Sequence, residues 1–99
     1  MNAKSIEKEP ELQQVLWACY QYWQSETSLP LGERVICYSW VLRTYEDRFH
    51  NKFHQSKLQR LTKDGFLSQE DVSRSKRRRY YKIIAPDQVE THLRKWGLY

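Results

Sequence analysis

The chain has 99 residues, is 39% hydrophobic and 14% aromatic, and carries a formal net charge of +5 at pH 7. This length suits one small domain, residues 1–99, and excludes two, while the aromatic content argues against intrinsic disorder. The N-terminal segment MNAKSIEKEPEL contains no apolar run. We therefore expect neither a signal peptide nor a membrane span, and we expect residues 1–9 to be flexible.

The first two predicted helices lie on either side of a break. Pro10 suits the first position of a helix that runs to about Gln24. Its apolar residues recur at helical spacing: Leu12, Val15, Leu16, Cys19, Tyr22 and Trp23. Pro30 and Gly32 interrupt the chain, and a second helix is predicted within residues 33–51. The segment Ile36-Cys37-Tyr38 could instead begin as a short strand.

A third helix, a hairpin and a short final helix are predicted to follow. The third helix covers residues 53–65, with Leu58 and Leu61 inward, and Gly65 ends it in a left-handed conformation. Residues 66–69 and 77–84 read as two strands of a hairpin covering residues 66–84, and a last helix runs from Pro86 to Trp96. This order predicts a mainly α (α+β) fold, a winged helix-turn-helix with a two-stranded wing and a short C-terminal helix.

The positive charge is concentrated in the middle of the chain. Residues 1–42 hold three basic and five acidic residues, a balance of −2, and residues 43–82 hold twelve and five, a balance of +7. Residues 83–99 hold two of each. Such a segment indicates a surface that meets a polyanion, most commonly nucleic acid. The alternative is a basic surface that has no partner and only favours solubility.

The outward face of the third helix is almost entirely cationic or hydrogen-bonding. A helix fits the major groove of B-DNA, where Gln can pair with adenine and Arg with guanine. We therefore predict DNA contacts for Gln55, Ser56, Lys57, Gln59, Arg60 and Lys63. His54 falls near the inward side, and we expect it to cap the helix or lie at the edge of the core.

The basic run around Arg77 has three interpretations. It could be a nuclear-import signal, although it continues directly into a strand, or Glu70 and Asp71 could pair across the hairpin with Arg77–Arg79. Neutralising both acids would still leave a surplus of four charges between residues 70 and 82, six basic minus two acidic. That surplus favours a wing that contacts phosphates.

The pattern Leu58-x-x-Leu61-x-x-x-Gly65-Phe66-Leu67, followed by the Arg-rich strand RRRYYKII, resembles winged-helix regulators. It is most similar to the PadR-like group over residues 53–84. The resemblance implies a homodimeric, DNA-binding transcription factor whose wing contacts come from Arg74, Lys76, Arg77, Arg78 and Arg79. PadR-like proteins usually carry longer C-terminal dimerisation helices. Apolar residues of the first and last helices are the predicted dimer interface: Trp17, Tyr20, Trp23, Val89, Leu93 and Trp96.

Other classes of function are less favoured. The sequence has no phosphate-binding Gly-rich loop, nucleophile elbow or H-E-x-x-H motif, so we expect no enzyme activity, no cofactor and no metal. Cys19 and Cys37 are isolated, which favours free, partly buried thiols in a reducing cytoplasm. A protein-binding module that uses the aromatic first helix is the main alternative. RNA binding ranks lower, because strand alternation should bury Tyr81 with Ile83 and expose only Tyr80.

Overall fold

The structure, a computed structural model, describes residues 3–70 and 79–99 and shows a mixed α+β chain. Four α-helices are described, α1 (Pro10–Ser25), α2 (Tyr38–Phe49), α3 (Ser56–Lys63) and α4 (Pro86–Lys95). Three strands are described, β1 (Ile36–Cys37), β2 (Leu67–Glu70) and β3 (Tyr80–Ile83). Short 3₁₀ helices cover Ala3–Ile6 and Leu31–Glu33. In the described part of the chain, no helix is both long and apolar enough to cross a membrane.

The three strands form an antiparallel sheet in the order β1-β3-β2. Leu67 lies opposite Ile83 in one ladder, and Ile36 lies opposite Tyr81 in the other. The prediction of a two-stranded wing was therefore wrong, and the alternative of a short strand at Ile36 is correct. The third strand forms because Ile36 and Cys37 are both buried, and an extended backbone there finds hydrogen-bonding partners on β3.

Side chains of β3 alternate between the core and the surface as the sequence predicted. Tyr81 and Ile83 are buried, whereas Tyr80 and Lys82 are half-buried on the opposite face. This alternation follows from the pleat of an extended chain, in which successive side chains point to opposite faces. The sheet therefore contributes one apolar face to the core.

The core is built around α1, which contacts α2, α3, α4 and the sheet. Its centre is buried on more than one side, with Val15, Leu16, Ala18 and Cys19 fully inaccessible. Because α1 is surrounded by elements of its own chain, its wide apolar stripe is used within the fold. Ile6 is also fully buried, so the segment before α1 is attached to the core, which the sequence did not predict.

Local interactions define both ends of α3. Gly65 has a φ of 86°, and the amide of Phe66 donates to the carbonyl of Leu61, as expected where a left-handed glycine ends a helix. At the other end, His54 Nδ1 accepts a hydrogen bond of 3.1 Å from the amide of Ser56. The His54 side chain therefore binds one free amide at the start of the helix, but it is exposed and does not lie on the inward side where the sequence placed it. The helix begins three residues later than the predicted boundary at residue 53, because Phe53 is buried in the preceding turn.

Candidate nucleic-acid interface

Three exposed side chains form a line along α3. Ser56, Gln59 and Lys63 are exposed and are three and four residues apart, which places them on one face of a helix. The line extends for about 10 Å, at about 1.5 Å of rise per residue. Leu58 and Leu61, on the opposite face, are fully buried and hold the helix against the core. We refer to Ser56, Gln59 and Lys63 as the α3 strip.

The other two cations of α3 are held by carboxylates near the start of α1. Lys57 Nζ lies 2.9 Å from Glu11 Oε1. Arg60 Nη2 lies 2.8 Å from Glu9 Oε2, and Arg60 Nε lies 2.9 Å from Asp64 Oδ2. The hydrogen bond to Asp64, with the charges of both acids, raises the pKa of the Arg60 guanidinium above its ordinary value. These two predicted DNA contacts are thus engaged within the chain, and Gln55 is half-buried beside them.

Sequence reasoning missed the carboxylate partners of α3. Glu9 is 51 residues away from Arg60, and Glu11 is 46 residues away from Lys57, so no local spacing connects them. For these two partners the sequence signal was the charge imbalance, since residues 1–42 are acidic on balance and residues 43–82 are basic. Asp64, four residues after Arg60, has the local spacing of a helical ion pair. Opposite charges on two segments favour their contact without specifying which residues meet.

The predicted wing contacts are only partly described. Arg79 is exposed immediately before β3, while Arg74, Lys76, Arg77 and Arg78 lie outside the described residues. The possible pairing of Asp71 across the hairpin lies outside them as well. Their contribution to DNA binding stays a prediction from the sequence.

The surface aromatic residue of β3 is partly covered. The ring of Tyr80 lies 5.9 Å from the ring of Trp40, measured between centroids, and Trp40 in turn stacks on Tyr22 at 5.4 Å. A ring that packs against neighbours offers less face for stacking on an unpaired base. This packing gives little support to the RNA-binding alternative.

Most of the residues predicted at a dimer interface lie inside the chain. Tyr20, Trp23, Val89 and Leu93 are buried, and Val89 and Leu93 have no exposed surface with which to contact a second copy. The reason is that α1 packs directly against α4, so their apolar stripes complete one core. The two remaining predicted interface residues, Trp17 and Trp96, are half-buried against this core.

Neither the thiols nor the acids of the described residues form a metal site. No group of three or more His, Cys, Asp or Glu side chains in residues 3–70 and 79–99 could hold a metal ion. Cys19 and Cys37 are free and buried. Burial raises the pKa of the Cys19 thiol far above its ordinary value, which keeps it in the unreactive protonated form.

Comparisons with known proteins find no matching family model, no matching curated protein and no matching solved structure. The resemblance to PadR-like regulators therefore depends only on the residues that carry it.

Proposed function

We propose that this chain binds double-stranded DNA sequence-specifically and acts as a small transcriptional regulator of the winged-helix class. The element order α1-β1-α2-α3-β2-β3-α4 supports this assignment, with α2 and α3 as the helix-turn-helix and β2–β3 as the wing. In this proposal α3 enters the major groove. The basic segment between β2 and β3 contacts phosphates or the minor groove.

The observation that carries the proposal is the α3 strip. It presents hydroxyl, amide and ammonium groups on a helix whose sequence, SKLQRLTK, contains no carboxylate. An amide such as that of Gln59 can pair with adenine through two hydrogen bonds, worth about 1–3 kcal/mol of discrimination. Lys63 adds a cation near the same edge.

The ion pairs of α3 refine which residues contact DNA in this proposal. Lys57 and Arg60 would have to exchange Glu11 and Glu9 for the duplex before they could bind it. We infer that they orient α3 against α1, that base recognition comes from Gln55, Ser56 and Gln59, and that Lys63 adds affinity for any sequence. In this proposal the residues that orient the helix are therefore different from those that recognise the DNA sequence.

The proposal is tested by titrating the protein into fluorescently labelled duplex DNA of mixed sequence across a salt series. If about five phosphates are neutralised per protomer, log K should fall against log salt with a slope near −4.5, about 0.9 per phosphate. Arg79→Ala should reduce affinity for every sequence alike, whereas Lys95→Ala, an exposed cation on α4, should have no effect. Absence of binding at low salt would overturn the proposal.

A cytoplasmic location is part of the same proposal. The free thiols of Cys19 and Cys37 support it, because reducing compartments keep cysteines unpaired. No stronger argument for location comes from the fold.

A further inference from the structure

An apolar groove lies between the end of α1, the 3₁₀ helix Leu31–Glu33 and the connection from β3 to α4. Its volume is about 430 Å³, and its lining includes Trp23, Leu31, Ile84 and Pro86. No residue of α3 lines it. We refer to it as the α4 groove.

Exposed apolar side chains are concentrated at the α4 groove. Leu31 is 61% exposed and Ile84 is 54% exposed, the two highest values among large hydrophobic residues in the described part of the chain. Leu29 is also exposed. It lies next to the groove, since its carbonyl accepts a hydrogen bond of 3.0 Å from Nε of the lining residue Arg34. These apolar side chains would be removed from water if another molecule covered the groove.

One wall of the groove is held in place by Arg34. Its Nη1 donates to the carbonyl of Trp23 at 3.0 Å, and its guanidinium carbon lies 5.4 Å from the centre of the Trp23 ring. These contacts attach the segment around Leu31 to the end of α1. The groove is therefore formed before any occupant arrives, which lowers the ordering cost of binding.

The charges at the groove indicate its occupant. Three charged residues line it: Arg34, Lys82 and Asp87. Arg34 is held by the carbonyls of Leu29 and Trp23, whereas neither Lys82 nor Asp87 has a side-chain hydrogen bond or ion pair with any other described residue. An acidic partner would form an ion pair with Lys82 but would be repelled by Asp87. A basic partner would form an ion pair with Asp87 but would be repelled by Lys82. A second copy of this chain carries both charges, and a two-fold contact pairs each with its opposite.

We propose that the α4 groove is the contact between two copies of this chain. Leu31 and Ile84 of each copy pack together, and Lys82 of one copy pairs with Asp87 of the other, twice over. This contact differs from the buried α1–α4 surface that the sequence suggested. It does not depend on DNA binding, and it leaves the α3 strip free.

The test is sedimentation equilibrium of single charge-reversed variants and of their mixture. Lys82→Asp and Asp87→Lys should each weaken self-association by about tenfold or more, because each sets like charges together at both ends of the contact. An equimolar mixture of the two variants should dimerise as the unmodified chain does, since the heterodimer restores both opposite-charge pairs. Circular dichroism confirms that each variant is folded.

Two outcomes would overturn the inference. One is an unmodified chain that remains monomeric at roughly 500 µM, where even a millimolar contact would be detectable. The other is a mixture that associates no better than its components.

The apolar half of the contact has its own test. Leu31→Asp should reduce self-association by about tenfold or more, because it sets a charge in the middle of the apolar contact. Thr27→Asp, on an exposed residue in the preceding loop, is the matched control and should leave self-association unchanged. If Leu31→Asp has no effect on dimerisation, the groove does not hold a second copy and the inference is overturned.

Discussion

The α3 strip and the α4 groove are both exposed surfaces, but they differ in chemistry. The strip presents hydroxyl, amide and ammonium groups, whereas the groove is apolar at Leu31 and Ile84, with two cations and one acid among its other lining residues. Polar surface that binds a polyanion depends on counterion release, and apolar contact depends on removing surface from water. The difference implies two separable interactions in a chain of 99 residues.

Salt concentration should separate the two surfaces most clearly. With a slope near −4.5, DNA affinity should fall by about 500-fold between 50 and 200 mM salt. Self-association through the groove should change by less than about threefold, because its two ion pairs are few and its apolar contact is insensitive to screening. Fluorescence anisotropy measures the first quantity and sedimentation equilibrium the second. An equal loss of both would show that the surfaces share one electrostatic origin.

Alkaline pH should lower the stability of the fold through Tyr20, which lies beside the α4 groove. Burial, and then the charge of Glu90, raise the pKa of Tyr20 from 10.0 to about 12, and its ring lies 5.7 Å from that of the groove residue Trp23. The folded state therefore keeps the Tyr20 proton that the unfolded state loses above pH 10. This stabilisation is complete below pH 10 and is lost as the pH rises to about 12. This rise in pKa corresponds to a decrease of up to about a hundredfold in the folding equilibrium constant.

Denaturant unfolding at several pH values would measure this loss, and Tyr20→Phe should reduce it. If Tyr20→Phe loses as much stability as the unmodified chain, the effect belongs to Tyr22, Tyr45 and Tyr81, whose pKa values burial also raises. The helix α3 contains no tyrosine, so the α3 strip should not contribute.

Substitutions within the α3 strip should show which residues determine base preference and which determine overall affinity for DNA. Gln59→Ala should reduce preference for one base position by about tenfold, while Lys63→Ala should weaken all sequences alike and lower the salt slope by about 0.9. Gln24→Ala, an exposed glutamine on α1, is the matched control. Competition binding against a panel of duplexes measures both effects. If Gln59→Ala and Lys63→Ala behave identically, the strip does not read bases.

The smallest expected effect concerns the anchored side of α3. Glu9→Gln should lower the free energy of unfolding by a small amount, because the pair with Arg60 is half-exposed and solvent screens it, and Arg60→Ala should lower it somewhat more, because it also removes the pair with Asp64. The double variant should lose less than the sum of the two single variants, since both remove the same contact. If Arg60→Ala instead changes base preference while Glu9→Gln does not, Arg60 contacts the DNA bases and does not only orient α3.

The helices could be predicted from the sequence because their signals are local. Pro10 and Gly65 mark helix ends within one turn of the residues concerned, and the apolar spacing of α1 and α3 is confined to each helix. The left-handed φ of Gly65 was predicted correctly. Strand alternation likewise predicted that Tyr81 is buried and Tyr80 is not.

Properties that depend on which segments meet could not be predicted. A two-residue strand such as Ile36–Cys37 has too few residues to show an alternating pattern, and it is stable only because β3 lies beside it. The wide apolar stripe of α1 was compatible with a partner chain or with the chain's own α4. Only the packing of the two helices shows that Val89 and Leu93 are used internally.

The sequence by itself determined where α1 begins and α3 ends, that Leu58 and Leu61 face the core, and that the excess positive charge lies between residues 43 and 82. These features follow from neighbouring residues and backbone geometry. The tertiary structure alone decided that Lys57 and Arg60 turn towards α1, and that Leu31 and Ile84 remain exposed beside α4. Both outcomes depend on how helices and loops distant in the chain are packed, and no local pattern encodes that arrangement.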